Sequence, residues 1–526
     1  MPRLAALLAV SLSVALAVPL GARAQAGLVS TLGISRNFAA PLDASGTALW
    51  GTPLLSVTRD DGATWRQAAL DSLRIGRYRV LSLDADGPTV WAGLYTFLDT
   101  GIDAIDRIRD AGFAVTTDNG ATFRRLPPLL DRTTDTVVVY GNSRIVTRIV
   151  TSVDTDRGLA RPFGIAYDPD SAAVWVAGGY LGLRRSLDGG ATWERIVLPP
   201  DNLDEIRPEG VYAFRLGPKT AGFPLGHFNH DVGAVLVDGR GIVWAGSARG
   251  LNRSLDYGAS WRRFQPTGSA AALPSSFVGV LREQYADDPT RSAVWIATYQ
   301  NPEVADAGRD GLVVTADGGQ TFRQALSGET VFDLAFDGAT VYAGTARGLL
   351  ASTDGGTTWS RRRDLCDPDE GTAACRPDRP VYAVAVTGAG TASATLWAGT
   401  ADGLFESRDG GASWTVNRAV AGLTTTQGQR TTTVETFAYP NPFSPAGDRV
   451  VRVRFDATGS GAYTVRVFDF AMRLVRTLDA GRTTGTAHEV LWDGTDADGL
   501  RVPNGPYFYT AEGEGRSVRG KILVVD

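Results

Sequence analysis

Lysine is almost missing from this chain of 526 residues: Lys219 and Lys521 are the only two, so nearly all positive charge is arginine, a bias that fits GC-rich coding better than a function. No block of basic residues occurs and the formal net charge is −5, which argues against nucleic acid or an anionic membrane surface as partner. Heptads and long amphipathic helical runs are missing too, which leaves no basis for a helical fold. Cysteine occurs twice, at Cys366 and Cys375, and nothing around the pair has zinc-ligand spacing. Beyond the first 26 residues no apolar run is long enough to span a bilayer.

The chain is rich in glycine, with 62 residues, and carries 26 prolines and 12 tryptophans, a composition that suits repeats of short strands better than one ordinary core. Residues 1–26 read as a secretory signal peptide, with Arg3, an apolar run over 4–20, and candidate cleavage sites at Ala22-Arg23-Ala24 and Ala24-Gln25-Ala26. The mature chain is then expected to begin at Gln25 or Gly27 and to be exported, either secreted or held at the outer cell surface. An oxidising compartment fits a disulfide between Cys366 and Cys375, which bracket an Asp/Pro/Gly-rich loop. Its closure stabilises by about 2.5 kcal/mol in the chain-entropy model.

One pattern organises everything before about residue 420. It is clearest over 341–359, where two short alternating strands lead into Ser352-x-Asp354-x-Gly356-x-Thr358-Trp359. A hydroxyl and a carboxylate two residues apart bond the turn's own N–H groups, glycine supplies a positive φ, and the aromatic tucks beneath the hairpin. The pattern recurs at 58–65, 116–123, 186–193, 254–261, 315–322, 352–359 and 407–414, each time after a strand carrying Trp50, Trp91, Trp175, Trp244, Trp295, Tyr342 or Trp397. With an apolar strand ahead of most copies, as at 331–336 and 381–386, each repeat holds four strands. Seven such repeats predict an all-β, seven-bladed β-propeller over 27–420.

The turn resembles the Asp-box of BNR repeats, found in the propellers of sialidases, sortilin-type receptors, xyloglucan hydrolases and photosystem II assembly factors. The stretch 232–254 is also similar to propeller repeats in periplasmic sensors of two-component regulators. The resemblance implies the fold and little about activity, because such propellers host enzymes, receptors and scaffolds alike. It gives the box carboxylates Asp60, Asp118, Asp188, Asp256, Asp317, Asp354 and Asp409 a structural role, since seven equivalent peripheral positions cannot face one substrate.

Loop lengths point to function. From strand aromatic to turn takes 10 residues in blades four, six and seven, against 25 in blade two and 20 in blade five. The connections from Phe123 to Trp175 and from Trp193 to Trp244 take 52 and 51 residues. In a four-stranded blade these insertions all leave from the face opposite the repeated turn, so one decorated face is expected. Tyr95, Phe97, Asp99, Asp103, His227, His230, Asp231, Tyr299, Asn301 and Glu303 on the insertions are the candidate ligand-binding residues. A metal at His227 and His230 is disfavoured, because a strand would point them to opposite sides; no cofactor is expected. Sialidase chemistry lacks its Arg-Ile-Pro motif: no Arg-Ile in the chain is followed by proline.

Residues 421–436 are rich in Thr, Gln and Gly and read as a linker. The last segment, 437–526, has six or seven predicted strands and reads as an immunoglobulin-like sandwich. Tyr439-Pro-Asn-Pro-Phe443, Trp492-Asp-Gly-Thr-Asp-Ala-Asp-Gly499 and Asn504-Gly-Pro-Tyr-Phe-Tyr509 resemble the sorting domains of the type IX secretion system and the Ig-like domain of the flagellar hook-capping protein. The hairpin after Asp469 departs from that pattern: it usually carries glycine and here reads Phe-Ala-Met472-Arg. The whole chain is expected to be a monomeric, non-catalytic surface scaffold that binds a polysaccharide or another protein. The alternative is a secreted glycoside hydrolase using two loop carboxylates, and an assembly factor for a surface complex is a third reading.

Overall fold

The computed structural model describes residues 32–35, 48–51, 56–58, 66–67, 78–97, 108–118, 120–152, 160–220, 222–285, 292–302, 304, 308–362, 365, 379–400, 403–417, 424–427, 430–433, 436–439, 441–446, 450–456, 462–482, 487–513 and 516–525. The signal segment and both cysteines lie outside them.

Short strands ending in tight turns dominate, and they form seven antiparallel four-stranded blades in chain order. Blade one comprises Leu32–Ser35, Ala48–Gly51, Ser56–Thr58 and Arg66–Gln67; blade two Tyr78–Asp86, Thr89–Phe97, Ile108–Thr116 and Arg124–Leu126; blade three Ala160–Asp168, Ala173–Gly179, Leu183–Ser186 and Glu194–Arg195. Blade four has Val232–Val237, Val243–Ser247, Gly250–Ser254 and Trp261–Phe264; blade five Phe277–Gln284, Ala293–Tyr299, Gly311–Thr315 and Arg323–Ser327. Blade six has Val331–Asp337, Thr340–Thr345, Gly348–Ser352 and Ser360–Arg361, and blade seven Ala383–Thr387, Thr395–Thr400, Gly403–Ser407 and Thr415–Asn417. The first strand of each blade packs against that of the next, and that of blade seven returns to blade one, closing a seven-bladed β-propeller.

The core is a set of slabs between blades. One joins Trp91, Phe113 and Val115 to Ile165, Val174 and Val176; another joins Trp244 and Leu251 to Val294, Ile296 and Phe322. A strand with a blade on each side is buried on both faces, so Ala173–Gly179 is buried at every position and shows no polar alternation.

The repeated turns fasten the slabs. In the six described copies the Ser or Thr hydroxyl donates to the Asp carboxylate at 2.7–2.9 Å and accepts the N–H of the glycine four residues on. The other carboxylate oxygen accepts a second hydroxyl at 2.5–2.6 Å. These donors hold Asp118 and Asp188 at about 2 and Asp354 and Asp409 below the ordinary carboxylate range. Asp317 is held at about 2 against the opposing effect of burial. Asp60 lies outside the described residues. Three of the turns also seat on the preceding blade: a Cβ on Gly258, Gly319 or Gly356 would lie 2.7–2.8 Å from the ring of Trp175, Trp244 or Trp295. Arg124, Arg185, Arg253 and Arg323 reach a carbonyl of the next blade's turn. Part of the arginine excess is therefore structural.

The two longest connections depart from expectation. Val137–Tyr140 and Ser143–Thr147 form a hairpin, and Arg215–Leu216 from the other connection joins it in parallel. Tyr140, Ile145, Ile206 and Leu216 are buried against Trp175 and Trp261, and the Tyr140 hydroxyl donates to Ala259 in the repeated turn of blade four at 2.8 Å. The connections thus run down the outer edges of blades three and four to the turn face instead of standing wholly on the other. Their apolar residues seek the uncovered edge of the sheet.

The chain ends in an Ig-like β-sandwich. Thr436–Tyr439, Val451–Asp456 and Ala487–Trp492 form one sheet; Leu474–Arg482, Ala462–Phe468, Gly505–Gly513 and Arg516–Val524 form the other. They enclose Phe443, Val453, Val465, Val467, Trp492, Tyr509 and Ile522. Asn441 bonds Lys521 and Leu523, and Phe443 pairs with the last strand, so residues 441–443 clasp that strand. Residues read as linker hold a hairpin, Thr424–Gln427 with Arg430–Thr433.

Candidate binding face

The face opposite the repeated turns is built from second-to-third strand turns and blade-to-blade connections. Among the candidates read from sequence, Asp99, Asp103 and Glu303 lie outside the described residues, and of Phe97 only the backbone is described. Tyr95 is half-buried near the end of its strand, directly opposite Asp110.

The remaining candidates turn inward. Tyr299 is buried and donates its hydroxyl to the Val331 carbonyl of blade six; Asn301 is buried and donates to the Ala248 carbonyl of blade four at 2.8 Å. They join blades, and their side chains are not presented to solvent. The reason is a short strand end: a large side chain just past it meets the neighbouring blade before it meets water.

His227, His230 and Asp231 flank or belong to the 3-10 helix Phe228–His230. The imidazoles are brought together, their centroids 5.1 Å apart. His230 accepts the Gly217 N–H on Nδ1 at 3.1 Å and its Nε2 lies 3.0 Å from the Leu198 carbonyl oxygen. Burial pushes it down to about 4, and His227 is likewise lowered, chiefly by burial. Asp201 accepts the N–H groups of Phe228 and Asn229, and Asn229 is locked to Ser247 and Asn252 of blade four and to the Pro199 carbonyl. Asp231 is also buried, its carbonyl accepting the Ala248 N–H. This segment is a latch that fixes the connection to blade four. No group of three or more His, Cys, Asp or Glu suited to a metal occurs among the described residues.

Two clusters escape a reading of the sequence. Asp131 is buried between Arg184 at 2.7 Å and Arg195 at 2.5 Å; burial raises its pKa, and the two guanidinium groups with the Val150 N–H outweigh that and hold it low. Arg161 and Asp110 meet between blades two and three, where burial pushes Asp110 up to about 7 and Arg161 down to about 10. The one local signal for Arg161 is an arginine followed by proline at the head of an otherwise apolar strand.

The family model for the FlgD Ig-like domain matches residues 444–517. No curated protein matches the chain. Among solved structures the chain is similar to the extracellular domain of the two-component system BT4673 of B. thetaiotaomicron, at 17% identity and TM-score 0.41, over 74% of this chain and 38% of that one. The chain therefore spans well under half of that relative's length. A GH74 xyloglucanase from Xanthomonas campestris is similar at 14% identity and TM-score 0.46, covering 93% and 78% of the two chains. PorZ, described as a surface component of the type IX secretion system of Porphyromonas gingivalis, is similar at 14% identity and TM-score 0.27, covering 95% and 82%. All three relatives are β-propeller proteins. No helix among the described residues is long and apolar enough to cross a membrane.

Proposed function

We propose that the chain is an exported recognition scaffold at the cell surface, non-catalytic, which binds an extended ligand on the face opposite its repeated turns. The observation that carries this reading is the rigidity of the long connections. They are paired into a sheet, packed on blades three and four, and latched by Asn229 and His230. Where they leave the face opposite the turns, before running down the blade edges, connections fixed in this way form a preorganised platform that suits binding with little ordering cost. Three carboxylates on these connections support the non-catalytic reading: Asp131 and Asp204 pair with arginine, and Asp201 accepts backbone N–H groups. The C-terminal sandwich serves on this reading as the sorting or anchoring domain, with the type IX machinery as its partner.

Polysaccharide is the leading ligand class. The test is a glycan array probed with the full chain, alongside an assay for release of reducing ends from the same glycans. Binding without release is expected. Release of sugar would replace the scaffold by a hydrolase, and neither binding nor release would move the ligand to a protein. For the sandwich, deleting 437–526 should abolish surface retention; unchanged retention refutes the sorting role.

A further inference from the structure

The innermost strand of blade three differs from the others. In blades two, four, five and six the pairing of first with second strand slips by a single residue, as between Val232 and Ala234 opposite Ser247 and Gly246. In blade three the three residues between Ala160 and Gly164 face only one, Gly178, between Gly179 and Ala177. Bulges re-aim the side chains they carry, and this one carries Arg161, Pro162 and Phe163. It is braced on blade two: the Ser82 hydroxyl donates to the Pro162 carbonyl at 2.6 Å, and a Cβ on Gly93 would lie 2.8 Å from the Pro162 ring.

Arg161 is 4% exposed, yet its Nε and Nη1 have no hydrogen-bond partner among the described residues. Its guanidinium lies 5.1 Å from the half-buried Phe163 ring, and Tyr95 and Asp110, paired across blade two, are its electrostatic neighbours. A buried guanidinium with two orphaned donors is strongly unfavourable. Asp110 offsets little of this: it accepts the Gly112 N–H at 2.7 Å, and burial keeps it partly protonated near neutrality. A fold retains such a residue at a loss of stability where the open donors have work to do.

We propose that Arg161, presented by the wide bulge of blade three beside Tyr95 and Phe163, binds a uronate residue of an acidic polysaccharide. The two open donors lie on different edges of the guanidinium fork. A single carboxylate bonds one edge bidentately and leaves a donor on the other. A uronate brings a carboxylate and ring hydroxyls on one rigid residue and so satisfies both, which an acidic peptide side chain does not. Half-buried aromatic rings beside the guanidinium supply apolar surface for the sugar ring. The inference rests on the scaffold reading and narrows its ligand.

The experiment uses the full chain and its Arg161→Gln and Arg161→Met variants, with polygalacturonate, dextran and poly-L-glutamate as probes in titration calorimetry. Wild type is expected to bind polygalacturonate, not dextran, and poly-L-glutamate at least tenfold more weakly; either variant should lose polygalacturonate binding at least tenfold. Thermal unfolding is the independent readout. Removing an unsatisfied buried charge should leave Tm unchanged or raised in Arg161→Met, whereas a structural arginine would lower it. No binding of polygalacturonate, equal binding of poly-L-glutamate, unaltered affinity in the variants, or a lowered Tm each overturns the proposal. Binding of a neutral glycan that ignores Arg161 would overturn the uronate site and leave the scaffold reading standing.

Discussion

At the residue scale the repeated turn is a junction between blades as much as a hairpin lock. Gly319 has a φ of +80°, and a Cβ there would meet the Trp244 ring of the preceding blade at 2.7 Å. Gly355 also has a positive φ, of +67°, but open space around it. Gly355→Ala should therefore cost only the left-handed backbone term, about 1–2 kcal/mol, while Gly319→Ala adds the overpacking term and should cost about 2–5 kcal/mol. Urea denaturation of both variants checks this; equal losses would show that the tryptophan yields freely. The same turn holds its own carboxylate: Asp354 takes hydroxyl and N–H donors from Ser352 and Thr358.

At the element scale two short segments stand out. The 3-10 helix Phe228–His230 depends on a neutral His230. Its folded-state pKa of about 4 lies below the ordinary 6.5, so the unfolded chain binds the proton first as pH falls. The stabilisation is complete above pH 6.5 and is lost as pH falls toward 4, amounting to about 3 kcal/mol in the limit. Carboxylates titrate too, so the clean measurement is the difference between wild type and His230→Gln. Protection factors over 217–231, taken against intrinsic rates at each pH, should fall from pH 7 to pH 5 in the wild type and change much less in the variant; parallel behaviour would assign the effect elsewhere. The second segment is the hairpin after Asp469. Met472 adopts φ +60° there, with most of its side chain in solvent, and its N–H still donates to the Asp469 carbonyl. The hairpin survives the loss of glycine at a backbone cost, so Met472→Gly should stabilise by about 1 kcal/mol. A destabilised variant would mean that the thioether makes a contact of value.

At the scale of the whole molecule, two cores of different kind share one chain. The propeller's apolar clusters lie between blades, while the sandwich has one core of its own, Phe443 to Val524, that includes no propeller residue. Calorimetry of the full chain should resolve two transitions, and Met472→Gly should shift only one. A single transition moved as a unit by that substitution would show that the two cores unfold cooperatively.

The seven repeats were legible because everything that makes them is local. The donors and acceptors of each turn sit within eight residues, and the strand aromatic precedes them at near-constant spacing. The sheet built by Val146 opposite Arg215 was not legible, since its partners are some 70 residues apart in parallel and no turn announces them. Gly141-Asn142 between two valine-rich runs was a hairpin signal that could have been read. The histidine pair was visible as residue types, but not its role: a ring nitrogen facing a backbone N–H and a ring nitrogen facing a ligand look the same in sequence. The sequence alone determined the all-β class and the blade count, because these follow from short-range hydrogen bonding and periodicity. Only the tertiary structure decided which polar side chains are satisfied. It turned Tyr299 and Asn301 inward to partners on other blades and His230 to partners in its own connection, and it left Arg161 with open donors, because that outcome depends on which residues distant in sequence are brought alongside.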